Sequence, residues 1–206
     1  MVVGLDFDNT IVTYDAVLHQ AALERGLIPL ETPVVKRMVR DYIRDHGDGD
    51  IDWQKLQALV YGPLMPQAQM FAGVAAFVRE CRRRQVPVKI VSHKTELAGY
   101  DETGTNLRAA ALTWMTEHEF FSPNGLAFTR DDVFFESTRD DKIARIRALA
   151  CTEFVDDLEE VLHDPAFPPQ VRRILFAPEA QLDTAADPRV VPTWEALTEL
   201  VLDARG

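Results

Sequence analysis

From residue 86 onward the sequence alternates between short β-rich runs and helix-like stretches, and this alternation constrains the fold more than any other feature. The strand-like runs are "VPVKIVS" (86–92), "DVFFES" (132–137), "TEFVDD" (152–157), "RRILFA" (172–177) and "RVVP" (189–192). The helix-like stretches are "TNLRAAALTWMTEH" (105–118), "RDDKIARIRALA" (139–150), "LEEVLHD" (158–164) and "TWEALTELVLDARG" (193–206). Strands separated by helices are not joined as hairpins. They predict an α/β fold, Rossmann-like and doubly wound, with a mostly parallel sheet covered by helices on both faces. "VVGLDFD" (2–8) adds a buried strand at the start of the chain.

After that first strand the pattern becomes helical for about fifty residues. "AVLHQAALERG" (16–26) ends on Gly26, a natural helix stop. "PVVKRMVRDYIRDHG" (33–47) carries Val35, Met38, Val39 and Tyr42 at helical spacing, and "DIDWQKLQALVYG" (50–62) repeats the style. "YGPLMPQ" breaks the run, and "AGVAAFVRECRRRQ" (72–85) resumes as a helix leading into the strand at 86. The expected organisation is a core formed by 1–13 and 68–206, with 14–67 inserted as a small helical cap. Trp53 and Trp114 are expected as core anchors, Tyr14 at the cap hinge, and "GYDETGTN" (99–106) as a polar loop folding over the site.

With 206 residues, 47% of them hydrophobic, the chain can bury a sizeable core. Its formal net charge of -11 argues against a nucleic-acid backbone as the main partner and suits a site that holds cations. The two cysteines, Cys81 and Cys151, are neither close to each other nor next to a histidine. A disulfide scaffold or zinc site is not expected, and a reducing cytoplasm is. Asp6 and Asp8 interrupt the N-terminal apolar stretch, so no secretory leader is expected. No apolar run reaches the roughly 18 residues that span a bilayer, so no membrane partner is expected.

In open parallel sheets, ligands sit at the carboxyl ends of the strands. Asp6 and Asp8 stand at that end of the first strand, and alternation puts them on one face. Two carboxylates held close repel each other, and a bound hard cation compensates. Taken alone, the pair is equally compatible with solvated strand-end acids. The other strand ends change the balance. "VKIVS" ends in the hydroxyl of Ser92, Lys142 opens a helix after a strand, and "FVDD" ends in the adjacent carboxylates Asp156 and Asp157. A hydroxyl, a lysine and two pairs of acids at successive strand ends point to a shared site.

These residues resemble the motifs of the haloacid dehalogenase superfamily. Asp6, Asp8 and Thr10 match its D-x-D-x-[TV] signature, Ser92 its second motif, Lys142 its third, and Asp156 with Asp157 its fourth. The resemblance covers about 1–13 and 68–177. It implies a phosphatase acting on a small phosphorylated metabolite, with Mg²⁺ as cofactor. Asp6 would be the nucleophile that forms an aspartyl-phosphate. Asp8 would be the acid–base and would lend its backbone carbonyl to the metal. Asp157 would be the direct carboxylate ligand, Asp156 a second or water-bridged one, and Asp6 would share the ion. Ser92 and Lys142 would bind and neutralise the phosphoryl group, and Thr10 would orient the turn. A phosphotransferase or mutase using the same intermediate is the alternative, and a non-catalytic protein-binding module a more distant one. Asp8 disfavours a dehalogenase, since that branch lacks the second acid.

Other readings stay open residue by residue. Ser92 could simply end a strand, and Asp156 could cap the following helix. Arg139 or Arg145 could be the site cation in place of Lys142. His93 and Lys94 could contact substrate or remain solvated. Lys36, Arg40 and Arg44 share a helix face that could hold an anion, or could pair with Asp41 and Asp45.

Overall fold

The computed structural model describes residues 1–100 and 104–203, so the middle of the expected polar loop and the last three residues of the expected final helix lie outside the described residues. Six strands form one sheet: β1 (Val3–Leu5), β4 (Val88–His93), β5 (Val133–Glu136), β6 (Glu153–Asp156), β7 (Arg172–Phe176) and β8 (Arg189–Val191). Their spatial order is β5-β4-β1-β6-β7-β8, and every pairing between them is parallel. The remaining strands, β2 (Val12–Thr13) and β3 (Gln69–Met70), form a two-residue ribbon of their own.

The first strand is central, flanked by β4 and β6. Leu5 lies opposite both Ile90 and Val155, so the residue after Leu5 comes level with the end of β6. Gly4 is required there: a Cβ would stand 2.5 Å from the Phe154 ring. All three residues of β1 are buried, as expected of a strand covered on both faces.

The chain divides into two compact units. The first comprises Met1–Val12, Met70–Lys94 and Glu119–Gly206, of which 204–206 are not described, and contains the six-stranded sheet. Helices α4 (Val74–Arg83), α6 (Arg139–Ala148), α7 (Glu159–Leu162) and α8 (Trp194–Thr198) belong to it. One buried cluster joins Val91, Ile143, Ile146, Phe154, Phe167 and Leu175. An aromatic group joins Trp194 to Phe77 and Phe176, at centroid distances of 5.3 and 5.8 Å. The final helix starts where Thr193 caps Ala196 N at 3.1 Å, and after Thr198 it loosens into a π-helical turn, Glu199–Asp203.

The second unit comprises Thr13–Gln69 and Thr95–His118, of which 101–103 are not described, so the described part of the segment after β4 groups with the insertion rather than with the sheet. It contains α1 (Asp15–Glu24), α2 (Lys36–Arg44), α3 (Asp50–Tyr61) and α5 (Leu107–Glu117). Trp53 and Trp114 are buried in it, and the Trp114 indole donates to Ala68 O at 2.9 Å. Tyr14 is buried at the start of α1, its hydroxyl 3.1 Å from Met65 Sδ and its ring 4.4 Å from that of Tyr61. Among the described residues no helix is long and apolar enough to cross a membrane.

Candidate active site

The parallel register delivers the site. Asp6 directly follows β1, and its N–H donates to Val155 O at 2.8 Å. That bond continues the β1–β6 ladder by one step and sets Asp6 beside Asp156. Beyond it, Ile11 N and Val12 N both donate to Phe7 O at 3.0 Å, closing a tight turn. The turn needs one residue in the left-handed region. Asn9, with φ 59°, fills that position, and asparagine tolerates it better than most residues. Phe7 is fully buried, which fixes the backbone between the two acids. Thr10 is also buried, and its carbonyl accepts from the Trp194 indole at 3.3 Å.

Helix α6 brings in the lysine. Thr138 caps it by accepting from Asp141 N at 3.1 Å, which sets the first turn and with it Lys142. Lys142 is only 1% exposed. Its ammonium donates to Asp6 Oδ1 at 2.6 Å and to Asp156 Oδ2 at 2.7 Å. The other oxygen of Asp156 accepts from Leu158 N at 3.1 Å. The neighbouring candidates go elsewhere: Arg139 pairs with Glu160 at 3.1 Å and Arg145 with Glu136 at 2.7 Å. Lys142 is therefore the cation of this helix that meets the acids.

Asp6, Asp156 and Asp157 offer carboxylate oxygens that lie within 4.8 Å of one another. Oxygen-only ligands at this spacing fit a hard divalent cation such as Mg²⁺, which takes few carboxylates and keeps several waters. Asp8 is outside this cluster of side chains.

Electrostatics follows from burial. Burial pushes the carboxyl of Asp6 up to about 7; Lys142 pulls it down, while Asp156 and Asp8 push it further up. For Lys142, burial works against the charge, but Asp156 and Asp6 outweigh it and hold the ammonium above its ordinary range. Protonation of Asp6 thus favours the folded state relative to the unfolded chain, where its value is the ordinary 3.8. The resulting stability is full below the unfolded value and lost as pH rises towards 7. Asp6→Asn has no such titration. In EDTA, the melting temperature of Asp6→Asn relative to wild type should climb between about pH 4 and pH 7, then level off, driven by at most about 1.4 kcal/mol per pH unit. A difference that stays flat across that range would show that Asp6 titrates at its ordinary value.

Strand β4 supplies the second set of groups. Ser92 is buried and lies opposite Phe135. His93 is exposed, its Nε2 3.1 Å from Ser137 O. Lys94 turns inward and is 3% exposed, with its ammonium 2.9 Å from Asp8 Oδ2. The sequence offered Lys94 as a substrate contact and missed this pairing. The available signal was the two-residue offset, which puts Ser92 and Lys94 on one side and His93 on the other. In the second unit, Arg40 pairs with Asp41 at 2.7 Å, as one reading anticipated, but Arg44 pairs with Asp50, also at 2.7 Å, rather than with Asp45. Lys36 Nζ lies 6.0 Å from the centroid of the Tyr61 ring.

The parallel sheet and its flanking helices match solved structures of haloacid dehalogenase-like hydrolases in fold. A family IA, variant 3 hydrolase of that superfamily from Entamoeba histolytica matches 97% of this chain and 98% of its own at 14% identity, with a TM-score of 0.56. A family hydrolase from Deinococcus radiodurans, solved with bound phosphate and sodium, matches 99% and 96% at 16% identity and a TM-score of 0.56. The putative hydrolase YfnB from Bacillus subtilis, solved bound to magnesium, matches 98% and 98% at 12% identity and a TM-score of 0.52. No protein-family model matches the sequence, and no curated protein does. The fold of this chain is haloacid dehalogenase-like.

Proposed function

We propose that the chain is a Mg²⁺-dependent phosphatase that hydrolyses a small phosphorylated metabolite through an aspartyl-phosphate on Asp6. The carrying observation is Lys142, whose buried ammonium bridges Asp6 and Asp156 at 2.6 and 2.7 Å beside the half-buried Asp157. A carboxylate held in this way has a fixed attacking oxygen and a cation next to it. The phosphate and magnesium bound by the Deinococcus and Bacillus proteins support the same reading.

In the first half-reaction, an Asp6 oxygen attacks phosphorus as the bond to the leaving oxygen breaks, and Asp8 gives that oxygen a proton. In the second, Asp8 takes a proton from water while the water oxygen attacks phosphorus and releases Asp6. Lys142 and the Ser92 hydroxyl face the charge that builds on the phosphoryl oxygens. Asp6, Asp156, Asp157 and the Asp8 carbonyl would hold the Mg²⁺, which supplies charge to offset repulsion between carboxylate and phosphate. Substrate preference is assigned to the helical unit. The buried free cysteines, Cys81 and Cys151, support a reducing compartment such as the cytoplasm.

The test is hydrolysis of p-nitrophenyl phosphate and of a panel of phosphorylated metabolites. Phosphate should be released with Mg²⁺, cease with EDTA, and return when Mg²⁺ is restored. No release from any ester at saturating Mg²⁺ would end the phosphatase reading.

A further inference from the structure

We infer that Lys94 is a positioning residue for Asp8: it holds one carboxylate oxygen of Asp8 so that the other faces the leaving group. The functional part of this inference rests on the phosphatase reading above; the geometric part does not.

Lys94 is held both at its backbone and at its ammonium. Its backbone N–H donates to Glu136 O at 2.9 Å, which extends the β4–β5 ladder by one residue. Its ammonium lies 5.9 Å from the centroid of the buried Phe7 ring. It ends 2.9 Å from Asp8 Oδ2, with 2% of the side chain exposed against 15% for Asp8. Burying an ammonium costs several kcal/mol unless it is paired, and Lys94 pairs with the carboxylate of Asp8.

An aspartate carboxylate turns freely about its last torsion, which is broad and roughly two-fold. A general acid gains from losing that freedom, because the proton must sit on the oxygen that meets the leaving group. Pairing Oδ2 with Lys94 makes this choice before substrate arrives and assigns proton transfer to Oδ1. The two buried lysines thus divide the acids. Lys142 serves Asp6 and Asp156, and Lys94 serves Asp8.

The experiment compares wild type with Lys94→Met, and with Lys94→Gln as a polar second variant should the first fail to fold. Release of the leaving group is followed in single turnover at saturating Mg²⁺, with phenyl phosphate and p-nitrophenyl phosphate as probes. Phenolate is a poor leaving group that needs the proton, and p-nitrophenolate is not. Loss of positioning should slow phenol release about 10²-fold and nitrophenol release less than about tenfold, with half-saturating ester and Mg²⁺ concentrations within about twofold of wild type. Repeating the substitution on Asp8→Asn should add little, because the positioned group is already gone. Equal losses on both esters with weakened ester binding would make Lys94 a substrate contact and overturn the proposal. Crystal structures of the same variants decide the geometric part without turnover. In Lys94→Met the Asp8 carboxylate should rotate or split between two orientations, and an unchanged orientation would overturn the proposal. If wild type cleaves neither ester, the phosphatase reading fails by itself, while the orientation of Asp8 still decides whether Lys94 positions it.

Discussion

Asp6→Asn should lower phosphate release by at least about 10⁴-fold, the scale expected when a covalent nucleophile is removed, and should leave the fold intact. Asparagine has nearly the shape of aspartate, and its carbonyl oxygen can still accept from Lys142, which now donates to Asp6 Oδ1 at 2.6 Å. The backbone bond from residue 6 to Val155 O, at 2.8 Å, does not involve the side chain. What disappears is the oxygen that attacks phosphorus. A second variant separates charge from position. Asp6→Glu keeps the carboxylate but lengthens it by one methylene in a site where Asp6 is only 4% exposed. It should also lose most activity, since misplacement by about 1 Å can cost about 10² in rate. Steady-state phosphate release on the best substrate of the panel is the measurement, with circular dichroism to verify folding. Turnover by Asp6→Asn above about a tenth of wild type would remove Asp6 from the nucleophile role.

The sheet was legible because its strands carry apolar runs of the right length, broken by helices of helical period. The register was not. Nothing in "GLDFD" or "FVDD" states that Leu5 lies opposite Val155, and that pairing is what brings Asp6 to Asp156. Helix ends were the least readable feature. The proline at 33 suggested a start there, yet Val35 is extended and α2 begins at Lys36, whose N–H donates to Asp15 Oδ1 at 2.9 Å. That acid is twenty-one residues away in sequence, so no local pattern could reveal it. The choice among Arg139, Lys142 and Arg145 was open for a related reason. All three lie on one helix, and only the packing of that helix on the sheet decides which meets the acids. Motif spacing named candidate residues, whereas tertiary contacts set their pairings.

Removing the lysine should have the second large effect, and its sign differs between activity and metal binding. Lys142→Met replaces a buried ammonium with an apolar chain of similar length. Asp6 and Asp156 then lose the donor that sits between them at 2.6 and 2.7 Å. Breaking a buried ion pair by removing one partner typically costs about 3–5 kcal/mol, because the other charge stays buried. In EDTA the variant should therefore melt well below wild type. Magnesium should restore more of that loss than it adds to wild type, since the ion then replaces the positive charge that Lys142 supplied to Asp6 and Asp156. Taking a cation away from beside a cation site also strengthens attraction for the ion, so Mg²⁺ should bind more tightly to the variant. Activity should still fall by about 10²–10³-fold, the usual cost of losing a fixed donor to charge that develops on phosphoryl oxygens. Tighter metal with lost turnover is an unusual combination, and calorimetric titration of Mg²⁺ alongside single-turnover rates would detect it. A merely structural lysine would give a different pattern: weaker or unchanged metal binding, and activity that recovers in proportion to the folded fraction once Mg²⁺ is saturating.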